Sequence, residues 1–434
     1  MAIRLAACAT HPIQVQVPLF RCLARQPDID LHVFYANDDN VRPTYSPQFG
    51  VTMAWDVPLL EGYPYTVLGN RATMSNSAAE PGLLRRMLVF NAPEIRDRLR
   101  EARFDALLVP GYARLFYLQA MEGARRSGTA ILFRGNNRDE TGDPRPLLKR
   151  TARRLALRRV YGRIDAFLSI GKYMRRHFHE FGVDDSRIFD TPYCIDDALF
   201  EDQRARFLPQ RDTIREELGI PPEALVLLYS GKISSQKAPL LLAEALEILG
   251  PCPDLHLIVM GDGPLRGELE QAARPLLGPR LHMLGFVNQS AVGRYHAASD
   301  CLVLCSDRGE SWGLVVNEAM TFGRPALVSD GVGCRDDLVQ HGRTGFVFPR
   351  GDAGKLAGHL RDLLTDRGLA ARMGREAREL IAGYSVERNV EGIRAALESV
   401  TGQKRHWRAP ARTPGTSPRS RSGRASSRRP EAAP

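Results

Sequence analysis

Two acids eight positions apart, Glu310 and Glu318, bound the run Glu-Ser-Trp-Gly-Leu-Val-Val-Asn-Glu. Gly313, between them, stands where a helix would open after the apolar stretch Asp300–Ser306. The first amides of a helix lack partners within it and its dipole is positive there, which favours an anion. A glycine at that point lets a phosphate come close to the backbone. Glu318 lies about a turn and a half inside and is placed to accept hydrogen bonds from ribose hydroxyls, as acids do in dinucleotide sites. Glu310 precedes the helix and faces the crevice. On spacing alone, the two could equally be unrelated surface acids flanking a helix.

A second loop, Ser230-Gly-Lys-Ile-Ser-Ser-Gln-Lys237, holds Lys232 and Lys237 five apart among glycine and serine. Two such ammonium groups suit a diphosphate and the charge it gains as a leaving group. Taken singly, they could also be solvated surface lysines. Gly261-Asp262-Gly263-Pro264 is a third candidate, although a lone G-x-G is as easily an ordinary tight turn. All three loops follow strand-like runs in the same half of the chain. In a doubly wound sheet such loops gather at one edge, where ligands bind.

The elements that must position these residues alternate in type. Strand patterns fall at Ile3–Ala9, Leu31–Tyr35, Phe104–Pro110, Thr129–Arg134 and Ala166–Ile170, with helical spacing at Val15–Arg25 and Lys172–Phe181. The second half restarts with strands at Ala224–Ser230, Leu255–Gly261, Leu281–Phe286, Asp300–Ser306 and Pro325–Ser329, and helices at Pro239–Leu249 and Gly313–Thr321. Near-continuous apolar strands alternating with helices predict α/β architecture with parallel sheets covered on both faces. We expect two Rossmann-like domains over 1–200 and 201–385, with the rhythm lapsing near Asp190–Arg211, then a terminal helix over 386–401. Residues 37–82 break the pattern and read as a long, partly ordered insertion, a kind of loop that tends to be functional.

Of 434 residues, 43% are hydrophobic and 25% charged, which fits a globular chain of more than one core. Eight of the ten net positive charges fall in residues 402–434, a segment rich in Arg, Ser and Pro that is expected to be disordered. The near-neutral body has little global attraction for a polyanion, so nucleic acid is not an expected partner. The seven cysteines form no C-x-x-C and read as buried apolar residues in a reducing compartment. No metal cluster and no cofactor is expected. The opening residues run straight into a strand pattern, and no apolar run is long enough to span a bilayer, so a cytoplasmic location is expected. Arg145–Arg163 carries eight basic residues and no acid, with Leu147, Leu148, Thr151, Leu155 and Ala156 at helical spacing. Such a helix could lie on the anionic inner face of a cell membrane or pack its leucines on the first sheet.

Taken as an ordered set, GKISSQK, VMGDGPLR, HMLGFV, DCLVLCSDRGESWGLVVNEAM, GRPALVSD and GRTGFVF resemble retaining glycosyltransferase family 4, of the GT-B fold, with Glu310 and Glu318 as its E-x₇-E motif. The first half matches more loosely, through THPIQVQVPLFR, FRGNN, LSIGKYMRRHFHEFGV and TPYCIDDALF. The resemblance implies that Lys232 and Lys237 hold a donor diphosphate, that Gly313, Leu314 and Val315 offer it backbone amides, and that Glu318 binds the ribose. It further implies that Glu310 contacts the transferred sugar, that Phe286 and Val287 border the base, and that anomeric configuration is retained. The chain departs from the family's pattern at three places. Lys232 stands where Arg is usual and lacks its planar fork. Thr10-His11-Pro12-Ile13-Gln14 replaces a Gly-Gly turn, leaving Gln14 a possible cleft residue. Arg134-Gly135-Asn136-Asn137 stands where many relatives have histidine, so Arg134 or Asn136 could face the sugar, or the stretch could be a structural turn.

The function so implied is transfer of a sugar from a nucleotide diphosphate donor to a hydroxyl on a saccharide or lipid-linked acceptor, in making a surface polysaccharide or glycolipid. A nucleotide-sugar isomerase or epimerase of the same fold, and a non-enzymatic scaffold or nucleic-acid binder led by the basic tail, are the competing classes. The donor constellation and the neutral body speak against both.

Overall fold

The computed structural model describes residues 2–39, 41, 43–46, 51–69, 87–136, 146–307 and 309–402. Two wholly parallel sheets organise it, with a small separate hairpin. The strands are β1 (Ile3–Ala9), β2 (Ile29–Tyr35), β3 (Thr44–Ser46), β4 (Val51–Met53), β5 (Tyr65–Val67), β6 (Ala106–Val109), β7 (Ala130–Phe133), β8 (Ala166–Ser169), β9 (Ile188–Asp190), β10 (Leu225–Ser230), β11 (Leu255–Met260), β12 (Leu281–Gly285), β13 (Cys301–Leu304), β14 (Ala326–Ser329) and β15 (Gly345–Phe348). The first sheet runs β5-β2-β1-β6-β7-β8-β9 and the second β12-β11-β10-β13-β14-β15; β3 and β4 pair antiparallel. Every residue of β6, β8, β10, β11, β13 and β14 is buried, as a parallel sheet covered by helices on both faces requires. Burying a Val or Leu side chain contributes about 1.5–3 kcal/mol, so these runs carry much of each core.

In both sheets the chain starts in the middle, winds outward one way, then returns to wind the other way. That reversal opens a crevice beside the first strand of each sheet, between β1 and β6 and between β10 and β13. The loops after those strands must therefore meet there.

The structure adds detail to two of these readings. The 37–82 insertion contributes β5, which adds a parallel strand to the edge of the first sheet at Val33–Tyr35. Three residues after a proline were too short a signal to register as a strand. The insertion also reaches the second domain: Asn288 donates to the Ala54 carbonyl (2.7 Å), and Trp55 meets Phe286 edge-on at 6.0 Å. The helix Leu147–Tyr161 packs inward through Leu157 and Tyr161, while Leu148 is 81% and Leu155 52% exposed. Of the expected apolar face, Thr151 and Ala156 are exposed too. The side chain of Leu147, along with Arg145, Asn137, residues 70–82 of the insertion and 403–434 of the tail, lies outside the described residues.

The helix Val386–Thr401 follows the second domain but packs on the first. Val390, Ile393, Ala396 and Leu397 share a core with Leu5, Ala106 and Leu168, and Arg394 bonds Asp28 at 2.9 Å.

Candidate active site

The crevice between β10 and β13 gathers the strongest sequence candidates. The loop after β10 leaves Ser230 through Gly231 and closes in a 3-10 turn over Ser235–Lys237. The loop after β13 carries Glu310. Their side chains meet: the Lys237 ammonium is ion-paired with Glu310, at 16% and 13% side-chain exposure. Ser306 Oγ donates to the same carboxylate (3.3 Å), and Gln236 ties the loops together by donating to the Gly309 carbonyl (2.9 Å).

Glycines make the loops fit. Gly261 has φ +150°, and a Cβ there would stand 1.9 Å from the Gly231 carbonyl oxygen. Gly263, at φ +154°, would place one 2.5 Å from the Ile233 oxygen. Gly-Asp-Gly is thus no ordinary turn, since it lets the third loop lie against the lysine loop. Asp262 accepts from Arg266 in an ion pair of 2.8 Å. On the far side, Gly333 N–H donates to the Glu310 carbonyl (3.0 Å) and Cys334 N–H to that of Trp312 (3.0 Å), so the segment after β14 fixes the acid's backbone.

Gly313 caps the helix Leu314–Thr321 in the left-handed region, at φ +96°. Leu314 and Val315 are therefore first-turn residues, whose amides have no partner within an α-helix. Glu318, one turn further on, faces buried His296, whose Nε2 lies 3.4 Å from its carboxylate. Phe286 and Val287 follow β12 at the same edge, both partly buried, with Phe286 under Trp55 of the insertion. Lys232 is partly exposed as a residue, and its amine is held down to about 8, first by burial and then by Lys237, against an upward pull from Glu310.

The first domain supplies the other wall. Arg134 follows β7, and its guanidinium lies 4.9 Å from the ring centroid of Tyr193. Tyr193 also meets Trp312 at 6.0 Å, and its hydroxyl is pushed upward by burial, with a smaller contribution from the charge of Glu310. Arg134 is thus brought beside Glu310's surroundings, whereas Asn136 is exposed at the margin of the described residues. Gln14 is partly exposed in the loop after β1. There His11 stacks on Phe90 at 5.9 Å and is held down to about 4, by burial first and Arg114 second. Sequence reasoning missed Tyr193, His296 and Ser306. Tyr193 lay inside the TPYC stretch but had no charge or spacing to distinguish it.

Residues 210–380 match the family model described as glycosyl transferases group 1, which places the second domain in that family. The chain is 33% identical over 181 residues to the sulfoquinovosyl transferase SQD2 of Arabidopsis thaliana, covering 41% of this chain and 34% of that protein. It is 31% identical over 183 residues to the N-acetyl-alpha-D-glucosaminyl L-malate synthase of Bacillus anthracis, covering 42% and 47%. It is 36% identical over 185 residues to a D-inositol 3-phosphate glycosyltransferase of Streptomyces avermitilis, covering 40% and 39%. The chain thus matches less than half the length of each of these relatives. Among solved structures, Anabaena HepE in complex with UDP and glucose superposes with a TM-score of 0.67 at 18% identity, covering 92% of this chain and 100% of that one. Sucrose-phosphate synthase of Thermosynechococcus elongatus gives 0.67 at 16%, covering 92% and 99%. At these identities the likeness is one of fold, and the fold is GT-B.

Proposed function

We propose that this protein is a retaining glycosyltransferase that moves a sugar from a nucleoside diphosphate to a hydroxyl acceptor. The observation that carries this reading is the meeting of Lys237 and Glu310 across the crevice of the second sheet. One residue offers charge to a leaving diphosphate and the other accepts from sugar hydroxyls. Lys232 and the first amides of the helix Leu314–Thr321 add donors to the same anion. Lysine and amide donors answer the charge that builds on the leaving phosphate, so no metal is invoked. Glu318 would hold the ribose and Phe286 with Val287 would border the base. Departure of the diphosphate and attack of the acceptor on one face would preserve the anomeric configuration. HepE was solved with UDP, which favours uridine among the bases to try first.

The test is a panel of UDP-, GDP- and ADP-sugars, followed for nucleotide release with and without sugar acceptors, with the product anomer read by NMR. An inverted anomer would remove the retaining assignment. Conversion of donor sugar into a second sugar without acceptor would favour the isomerase reading.

We further propose synthesis of a surface glycan or glycolipid at the inner face of the membrane. Among the described residues no helix is long and apolar enough to cross a bilayer. The exposed Leu148 and Leu155, on a helix with arginines at 150, 153, 154, 158 and 159, fit an interfacial anchor. The protein should float with anionic but not neutral liposomes, and Leu148→Glu/Leu155→Glu should abolish the part that survives high salt. Failure to bind anionic liposomes at low salt would place the acceptor in solution.

A further inference from the structure

Arg134 is set apart from the other buried arginines by what surrounds it. Arg215 and Arg394, the most deeply buried, are each answered by a carboxylate, Asp300 and Asp28. The guanidinium of Arg134 forms no ion pair among the described residues, and its Nε is buried with no hydrogen-bond partner. The ionisable groups it feels are Tyr193 and Cys194. Burial pushes both of these upward, so both are neutral near pH 7. The face of Tyr193 offsets part of the cost of taking this cation out of water, but a ring quadrupole is a weak substitute for a charge. The backbone is not free to relieve the strain, because Arg134 N–H donates to the Val109 carbonyl (2.9 Å) and extends the sheet ladder. The residue as a whole keeps partial exposure.

We propose that Arg134 is the cation of a second anion subsite, one that takes a carboxylate or phosphate carried by the acceptor or by the transferred sugar. The proposal rests on reading the cleft as a glycosyl-transfer site. The donor diphosphate already has Lys232 and Lys237, both on one loop of the second domain. Arg134 reaches in from the first domain, beside Tyr193 and towards the surroundings of Glu310. A planar guanidinium matches the two oxygens of a carboxylate or phosphate edge to edge. An oxyanion here would restore the missing counter-charge, so affinity for a charged substrate would be gained where the free protein carries a cost.

The test uses the full chain and Arg134→Gln, with Arg134→Lys as the conservative variant. Titration calorimetry first measures UDP and GDP. With the tighter nucleotide saturating, inorganic phosphate then probes the acceptor side. In the donor arm, UDP-glucuronate is compared with UDP-glucose, or GDP-mannuronate with GDP-mannose. We expect Arg134→Gln to leave the bare nucleotide within twofold and to weaken one arm at least tenfold, with Arg134→Lys in between. Loss in the phosphate arm assigns the anion to the acceptor, and loss in the uronate arm assigns it to the sugar. The melting temperature of Arg134→Gln should equal or exceed that of the parent, because an uncompensated buried charge is removed. Equal weakening of the bare nucleotide would make Arg134 a diphosphate contact and overturn the proposal, as would a marked fall in melting temperature or no change in either arm. If neither nucleotide binds the parent protein, the glycosyl-transfer reading fails first and takes the subsite with it.

Discussion

Lys237 is claimed by Glu310, so a diphosphate competes with that carboxylate for the ammonium. Removing either donor-side charge should be costly. Lys237→Ala and Glu318→Ala are each expected to weaken nucleotide-sugar binding or turnover at least tenfold, about 1.4 kcal/mol, as for loss of one charge-assisted contact. Unchanged donor kinetics in both would dissolve the site. Glu310→Gln should lower turnover more than nucleotide affinity, because its expected partner is the sugar. Lys232 gives a pH signature. Its amine is pulled down to about 8, so it is charged below that value and neutral above it. Nucleotide affinity should therefore fall as pH rises through about 8, and Lys232→Arg should move that fall to higher pH. A flat affinity from pH 7 to 9 would show that Lys232 does not reach the phosphate. The charged members of this cluster were legible in the sequence because their types and spacing are chemical in themselves. His296 and Tyr193 were not, since a lone histidine or tyrosine in apolar text reads as core until the fold sets it beside an acid or an arginine.

Loops rather than helices set the tolerance of the site. Gly261 and Gly263 let two connections lie carbonyl to Cα, and no side chain fits at either position. Gly261→Ala should destabilise the protein by about 3 kcal/mol, read as a shifted urea midpoint, and should weaken donor binding even where the fold persists. A neutral outcome would mean the two loops part freely, and the lysine loop would then need another support. Strand positions were readable because buried parallel strands are continuous apolar runs. The short β5, β9 and β15 were passed over as strands, having only three or four residues each. The sequence leaves the orientation of Leu147–Tyr161 open because leucines occur on both of its sides, and only packing decides which side the sheet takes.

At the scale of the molecule, two carboxylates, Asp337 buried and Asp197 partly exposed, hold the second domain and the terminal helix to the first domain. Asp337 accepts from the Lys172 amide at the start of the helix Lys172–Glu180 (3.1 Å), and Asp197 accepts from the Val386 amide where the terminal helix begins (3.2 Å). Both are pushed up to about 6, by burial first; the neighbouring Glu387 adds to the shift at Asp197, while Lys172 opposes it at Asp337. The native state thus holds these protons to higher pH than the unfolded chain, whose Asp groups titrate near 3.8. Their contribution to stability is full below about pH 4 and is lost as pH rises through about 6. Urea midpoints measured from pH 4 to 7 should show this decline superposed on the rest of the titration, and Asp337→Asn should flatten it. An unaltered slope in that variant would mean Asp337 is ionised throughout. The crossing of Val386–Thr401 back to the first sheet has a consequence for biosynthesis. A ribosome delivers the first domain early, yet one apolar flank, over Leu5, Ala106 and Leu168, gains its cover only after the whole second domain has been translated. The nascent chain must carry a sticky, half-roofed sheet through most of its elongation, which makes this flank the place where a chaperone would have to sit and where slowed translation would first show as aggregation.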